Sequence, residues 1–128
     1  MTKQEYYELG GIILDASIRV HRELGAGLLE SVYQFALISE LRLRDILVTQ
    51  KVPVPLFYRG LDTGKCFEID LLVEGAIIIE LKSAEAMQPV FMAQLITYLK
   101  LSDKKLGYLI NFNVPLLKDG FKRVVYNF

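Results

Sequence analysis

The sequence is poor in the residues that build disulfide frameworks and zinc sites, and it carries no excess of charge. Cys66 is the single cysteine among 128 residues, so an intramolecular disulfide and a CxxC zinc site are both excluded. The 15 Lys and Arg residues balance the 15 Asp and Glu residues. This balance excludes a generally basic protein that holds nucleic acid by bulk charge, so any polyanionic partner would need a local patch or metal ions.

Long apolar runs are also missing. Ala76–Ile79 is among the longest, far short of the roughly 20 residues that cross a bilayer. The polar start, Met1–Glu5, lacks the basic and apolar stretches of a secretion signal. Together with the single Cys66, these absences predict a soluble cytoplasmic protein with no membrane partner. Hydrophobic residues make up 52% of the chain, which argues against disorder and predicts one domain over residues 1–128.

Two helices are predicted in the first third of the chain. Apolar residues recur every three or four positions over Tyr6–Leu24, which is the spacing of one face of an amphipathic helix. Gly25–Gly27 breaks this pattern, and a second helical pattern covers Leu29–Leu41. Because the connection is so short, the two helices should be close neighbours.

A hairpin of two strands is predicted next. Val48–Tyr58 is rich in β-branched and aromatic residues, and Pro53 and Pro55 mark it as an edge strand or an irregular one. Arg59–Lys65 has the composition of a turn, and Cys66–Val73 is the predicted returning strand.

The second half of the chain predicts a strand, a helix and two further strands. Ala76–Lys82 begins with a continuous apolar run, which indicates a central strand buried on both faces. A helix should run from Pro89 to Leu101, and strands should follow at Leu106–Asn111 and Phe121–Tyr126. The strand, helix and strand in sequence predict a parallel pair, so the fold class is α/β with a mixed central sheet flanked by helices.

The pattern is interrupted by charge at the end of the central strand. Glu80 and Lys82 are two residues apart and therefore project from the same face. Burying unpaired charges costs several kcal/mol, so their presence requires a reason. One interpretation is an ion pair or a strand end that reaches solvent.

Asp70 favours a second interpretation. It interrupts the preceding strand, and the turn at Glu74-Gly75 places that strand beside the one that carries Glu80. Two neighbouring carboxylates repel each other unless a proton or a cation lies between them. An oxygen site of this kind suits Mg²⁺ or Mn²⁺, and Lys82 beside it could orient the attacking water or hold charge that builds on phosphorus.

The order Asp70, about ten residues, Glu80 and Lys82 resembles the Asp…Glu-x-Lys signature of the PD-(D/E)xK nuclease superfamily. Ile69 stands in place of the Pro of that name, which supplies no ligand. The element order likewise resembles the superfamily's αβββαβ core, in a restriction-endonuclease-like fold. Gln94 and Tyr98 resemble the Gln-x-x-x-Tyr of its RecB-like branch.

A closer resemblance lies in Gly27–Tyr33, which matches the motif of the GxxExxY family of small prokaryotic proteins in the same superfamily. The resemblance implies that Asp70 and Glu80 hold Mg²⁺ or Mn²⁺ with the Leu81 backbone carbonyl. Glu30 would complete the acidic shell directly or through water.

The remaining site candidates keep competing interpretations. Glu30 either joins the site or complements the dipole at the helix N-terminus, and Tyr33 shares its face and packs beside it. His21 is either a site residue or a packed polar residue near a helix end. Tyr98 is either core or, with Gln94, part of the site, where Gln94 could position a water, a metal ligand or a backbone group.

Two functions follow from these candidates. The first is a metal-dependent nuclease acting on DNA or RNA, in which Lys82 positions the attacking water and helps to deprotonate it. The second is a binding or assembly subunit that keeps the nuclease fold and contacts nucleic acid or a partner protein without useful cleavage. A buried homo-oligomer surface would fit the apolar excess, although a dense core would explain it equally well. Metal-dependent hydrolysis of another phosphate ester has no specific support.

Overall fold

Four helices form in the computed structural model, which describes residues 1–128. They are α1 (Lys3–Leu24), α2 (Glu30–Leu43), α3 (Pro89–Ser102) and the single-turn α4 (Leu117–Gly120). The three long helices confirm the predicted ones to within a few residues at each end, whereas α4 has no counterpart in the sequence pattern. None of the helices combines the length and the apolar character that a membrane span requires.

The start of α1 lies ahead of the apolar pattern because of its cap. The Thr2 hydroxyl accepts a hydrogen bond from the Glu5 N–H (3.1 Å), and the Glu5 carboxylate accepts one from the Thr2 N–H (3.4 Å). This reciprocal capping box satisfies two N–H groups at the helix end. Gly25 ends the helix with a φ of 76°, a conformation that glycine adopts at little cost.

Five strands form one mixed sheet in the order β1-β2-β3-β4-β5. They are β1 (Val48–Tyr58), β2 (Leu61–Val73), β3 (Ile77–Lys82), β4 (Leu106–Asn111) and β5 (Phe121–Val125). Strands β3 and β4 are parallel, and every other neighbouring pair is antiparallel. The predicted edge position of the first strand, the central position of the third and the parallel pair are confirmed.

The turn predicted over Arg59–Lys65 is wrong. Strands β1 and β2 are joined by Arg59 and Gly60 alone, with φ values of 49° and 82°. Positive φ at both central residues is the feature of the tight hairpin turns whose twist matches that of the strands. The polar residues that suggested a longer turn are instead in β2, where the Gly64 N–H donates to Asp62 Oδ1 (2.9 Å).

The sheet is covered on both faces by helices. Helices α1 and α2 cover one face with a cluster of 19 buried apolar residues, here called the α1/α2 core. Helix α3 covers the other face with seven, here called the α3 core. Alternate residues of β3 divide between them: Ile77, Ile79 and Leu81 enter the α1/α2 core, and Ile78 enters the α3 core.

Strand β2 changes faces at Asp70. Ile69 packs in the α3 core and Leu71 in the α1/α2 core, although residues two apart in a regular strand face the same side. In β1 the pairing with β2 is interrupted at Lys51, whose φ of 52° lies in the left-handed region. Val52, the next residue, packs against the α3 core. Asp70 is therefore the residue at which the side chains of β2 switch from one face of the sheet to the other.

Candidate active site

Asp70 and Glu80 lie side by side where β2 and β3 separate. The ladder between these strands ends at Leu71 opposite Ile79, one residue short of the two acids. Beyond it, the Asp70 N–H donates to Glu80 Oε1 (3.3 Å), and the Leu81 N–H donates to Asp70 Oδ2 (2.9 Å). Each carboxylate is held by the backbone of the neighbouring strand, so this carboxylate pair is fixed.

The environment of the pair makes two negative charges costly. Glu80 is 5% exposed, and Asp70 is half-buried. Burial raises the pKa of Glu80 to about 8, with the negative charge of Asp70 as the second cause. Because both groups cannot ionise cheaply in this position, the pair holds a proton near neutral pH or takes up a cation.

Lys82 projects from the same face of β3 as Glu80. Its Nζ lies 4.6 Å from the centroid of the Phe91 ring, on the first turn of α3. Its charge lowers the pKa of Glu80, against the larger effect of burial. The structure thus brings Asp70, Glu80 and Lys82 together on the α3 side of the sheet.

Tyr98 also lies near the carboxylate pair. Its ring stacks on Phe67, with centroids 4.1 Å apart and an angle of 4° between planes. Burial, and after it the charges of Glu80 and Asp70, raise the pKa of its hydroxyl. Gln94 is exposed one turn earlier on α3.

Glu30 is the first residue of α2 and is exposed. No hydrogen bond joins it to Asp70 or Glu80, and no three Asp, Glu, His or Cys side chains come together as a possible metal site. The acidic shell in this structure therefore consists of two carboxylates, and a role for Glu30 in it stays a prediction.

The other two candidates bond to backbone groups. The buried Tyr33 stacks on Phe112 (4.5 Å between centroids), and its hydroxyl donates to the Gly25 carbonyl (2.6 Å) and accepts from the Leu28 N–H (3.1 Å). These bonds fix the connection between α1 and α2. His21 Nε2 lies 2.8 Å from the Val114 carbonyl oxygen, a contact that fits a packed polar residue.

Sequence reasoning missed the residues that hold the segment between β3 and α3. The Asn111 amide, 2% exposed, donates to the Ala84 carbonyl (3.0 Å) and accepts from the Ala84 N–H (3.1 Å). Ser83 Oγ donates to the Leu28 carbonyl (2.6 Å). A buried Asn at the end of an apolar strand is the one signal that could have found this clamp, because buried amides need partners.

The carboxylate pair lies outside the enclosed parts of the surface. The three depressions of the molecule lie between α1 and α2, between α2 and β1, and beside α4. Asp70, Glu80 and Lys82 line none of them. The three residues therefore do not form an enclosed pocket of the kind that usually binds a small molecule.

The fold and these three residues define a class: a mixed α/β domain with an acidic pair and a lysine at the end of the central strand, consistent with a nuclease-like fold. A family model described as the PD-(D/E)XK nuclease superfamily matches residues 7–124. The chain belongs to the PD-(D/E)XK nuclease superfamily. Neither the search of curated proteins nor that of solved structures returned a match.

Divalent metals are general to this superfamily. The donor set fits such an ion, because Mg²⁺ and Mn²⁺ prefer oxygen ligands and a cation would offset the burial and the negative charge of Asp70 that raise the pKa of Glu80 to about 8.

Proposed function

We propose that this protein is a divalent-metal-dependent nuclease that hydrolyses phosphodiester bonds in DNA or RNA. The observation that carries the proposal is the carboxylate pair at the point where two strands part, where Glu80 accepts a hydrogen bond from the Asp70 N–H and Asp70 accepts one from the Leu81 N–H. Lys82 lies on the same face, two residues beyond Glu80. Burial of Glu80 beside another acid destabilises the fold, and a cation site is the function that explains why both acids are there.

In the proposed reaction, Asp70, Glu80 and the Leu81 carbonyl would hold Mg²⁺ or Mn²⁺, with Glu30 as a further ligand, directly or through water. The ion would supply Lewis-acid stabilisation of the charge that develops on the phosphate. Lys82 would orient the attacking water and favour its deprotonation. Tyr98 lies near the pair on α3, and Gln94, one turn earlier on the same helix, would position a water or a ligand.

The position of the site outside every depression of the surface supports a polymeric substrate. A small molecule is usually bound in a concave pocket that covers most of its surface, whereas a nucleic-acid strand does not need such a pocket. The zero net charge implies that unaided binding of DNA or RNA is weak and improves with the metal.

The finer assignments belong to the same proposal. The motif over Gly27–Tyr33 supports membership of the GxxExxY family, and the single cysteine supports a cytoplasmic location in a prokaryotic cell. Exposed apolar residues at the tip of the β1–β2 hairpin, Phe57, Tyr58 and Leu61, could serve a homo-oligomer.

A substrate panel tests the nuclease proposal. Linear, nicked, branched and single-stranded DNA, together with RNA, would be incubated with Mn²⁺, Mg²⁺ or a chelator. Asp70→Asn and Lys82→Ala should each abolish cleavage while the protein stays folded. Asp45→Asn and Lys105→Ala make the same chemical changes at exposed positions and should cleave as the wild type does. Unchanged cleavage by both site variants would contradict the proposal.

A second candidate function is favoured by one observation. No third acidic residue joins Asp70 and Glu80, which would suit a subunit that kept the fold and contacts nucleic acid or a partner protein. Calorimetry separates the two candidates. Mn²⁺ binding that is lost in Asp70→Asn supports the enzyme, whereas no binding at millimolar metal supports the binding subunit.

A further inference from the structure

The ammonium group of Lys82 has one partner in this structure, and that partner is aromatic. Its Nζ lies 4.6 Å from the centroid of the Phe91 ring. This distance is within the roughly 6 Å at which a cation is attracted by the negative face of an aromatic ring. Both ion pairs of the molecule belong to Arg44, so no carboxylate oxygen lies within 4 Å of the Lys82 ammonium.

A lysine at a reacting centre needs such a partner. Its four-carbon stem has many rotamers, and an ammonium without a fixed neighbour samples many of them. Half-buried Lys82 follows Glu80 on the same face, so its head group stays beside the carboxylate pair only if something restricts the stem. The Phe91 ring is placed to do this.

The position of the ring is itself fixed by the backbone. Two hydrogen bonds between Asn111 and Ala84 fasten the segment that follows Lys82. Helix α3 then begins at Pro89, whose restricted φ suits the first turn of a helix, and the Phe91 N–H donates to the Gln88 carbonyl (3.0 Å). The ring also packs against the α3 core. The ring is therefore in place before any substrate arrives.

We propose that Phe91 is a positioning residue whose ring face holds the Lys82 ammonium beside the carboxylate pair. A cation that is already in position stabilises the charge that develops in the transition state without having to reorganise. This catalytic effect of Phe91 rests on the proposed nuclease function. The contact between the two side chains is independent of that function.

The experiment has a structural part that needs neither metal nor substrate. In the NMR spectrum of the full chain, the ε-methylene protons of Lys82 should be displaced upfield by the Phe91 ring current. The displacement should vanish in Phe91→Leu and persist in Phe91→Tyr. Phe35→Leu, at an exposed position on α2, is the matched control and should leave these protons unchanged. Undisplaced Lys82 protons in the wild type would overturn the proposal.

The kinetic part uses a substrate that the wild type cleaves. Phe91→Leu should lower kcat by about 2- to 30-fold with KM unchanged, which is the effect expected of a cation and ring interaction that matters in the transition state. Phe91→Tyr should restore kcat. Fluorinated phenylalanines at position 91 weaken the negative ring face with little change of shape, so kcat should fall with each added fluorine.

Each kinetic outcome has a distinct meaning. The positioning role would be overturned if kcat did not change with fluorination. It would also be overturned if the fall of kcat in Phe91→Leu were fully explained by a loss of folded protein, measured by urea denaturation. If the wild type cleaves nothing, the proposed function fails, and the NMR spectrum alone decides whether Phe91 holds Lys82.

Discussion

The α1/α2 core buries 19 apolar residues, whereas the α3 core buries seven. The face with the smaller core carries Glu80 and Lys82, together with Asp70 at the point where β2 changes faces. A buried acid beside another acid destabilises a fold, because desolvation and repulsion both oppose its ionised form. We infer that burial on the α1/α2 face supplies the stability that allows the α3 face to hold a charged site.

The Gly27–Tyr33 motif lies on the α1/α2 face of the sheet. Tyr33 is buried in the α1/α2 core, and its hydroxyl joins the backbone at Gly25 and Leu28. Leu28 in turn accepts the hydrogen bond of Ser83, one residue after Lys82. The α1/α2 face thus acts on the site through the backbone of the connecting segments.

The largest expected effect on stability tests the α1/α2 core. Leu37→Ala removes a fully buried side chain of α2 and should lower the free energy of unfolding by about 2 to 5 kcal/mol, because lost transfer energy and a cavity add together. Urea denaturation measures the change. Phe35→Ala on the same helix, where the side chain is 75% exposed, should cost far less. Equal losses would break the distinction between the core and its surface.

The next prediction concerns the pH dependence of the charged face. The pKa of Glu80 rises from about 4.5 in the unfolded chain to about 8 in the folded one. The stability that comes from protonated Glu80 is therefore fully present below pH 4.5 and is lost as the pH rises through 8. Relative to Glu80→Gln, the wild type should lose about 2 to 4 kcal/mol over this window in a chelator.

Metal should reverse this loss. A cation replaces the proton of Glu80, so Mn²⁺ should stabilise the wild type more at pH 8 than at pH 6 and should not stabilise Asp70→Asn. Thermal denaturation at both pH values measures the effect. A wild type whose stability relative to Glu80→Gln is constant across the window would contradict the buried acid pair.

A smaller effect compares two neighbouring glycines of α1. A methyl group at Gly10 would overlap the hydroxyl end of the buried Tyr108, whereas one at Gly11 would meet no atom within 4 Å. Gly10→Ala should therefore cost about 1 to 3 kcal/mol from overpacking. Gly11→Ala should stabilise the helix by about 0.5 to 1 kcal/mol. If both changes stabilised the protein, α1 would not pack closely on the sheet.

Periodicity predicted the sheet and the long helices because burial on defined faces imposes the periods of two and of 3.6 residues. The proximity of Asp70 and Glu80 was predictable because a short turn joins the two strands that carry them. The structure agrees, since Leu71 pairs with Ile79 next to the two acids. Local composition failed at the hairpin, where the two-residue turn at Arg59 and Gly60 depends on strand twist.

Long-range contacts were beyond the sequence. Nothing in the local pattern shows that Phe91 meets Lys82, that Asn111 holds Ala84, or that β2 changes faces opposite a left-handed Lys51. Each depends on how separate elements pack, which spacing along one element does not contain. Glu30 illustrates the same limit, because the sequence left it as either a site acid or a partner of the helix dipole, and the structure has it exposed in the first turn of α2.

The smallest expected effect separates a structural Tyr33 from a catalytic one. Tyr33→Phe keeps the stacking on Phe112 and removes the hydroxyl bonds to the Gly25 carbonyl and the Leu28 N–H. Gly25 is half-buried and Leu28 is exposed, so water can replace the hydroxyl and the loss of stability should be about 1 kcal/mol. Tyr58→Phe, at a 67% exposed position, is the matched control and should change nothing. Cleavage per folded molecule should be retained in both variants, and a selective loss of kcat in Tyr33→Phe would place its hydroxyl in the reaction rather than in the frame of the α1–α2 connection.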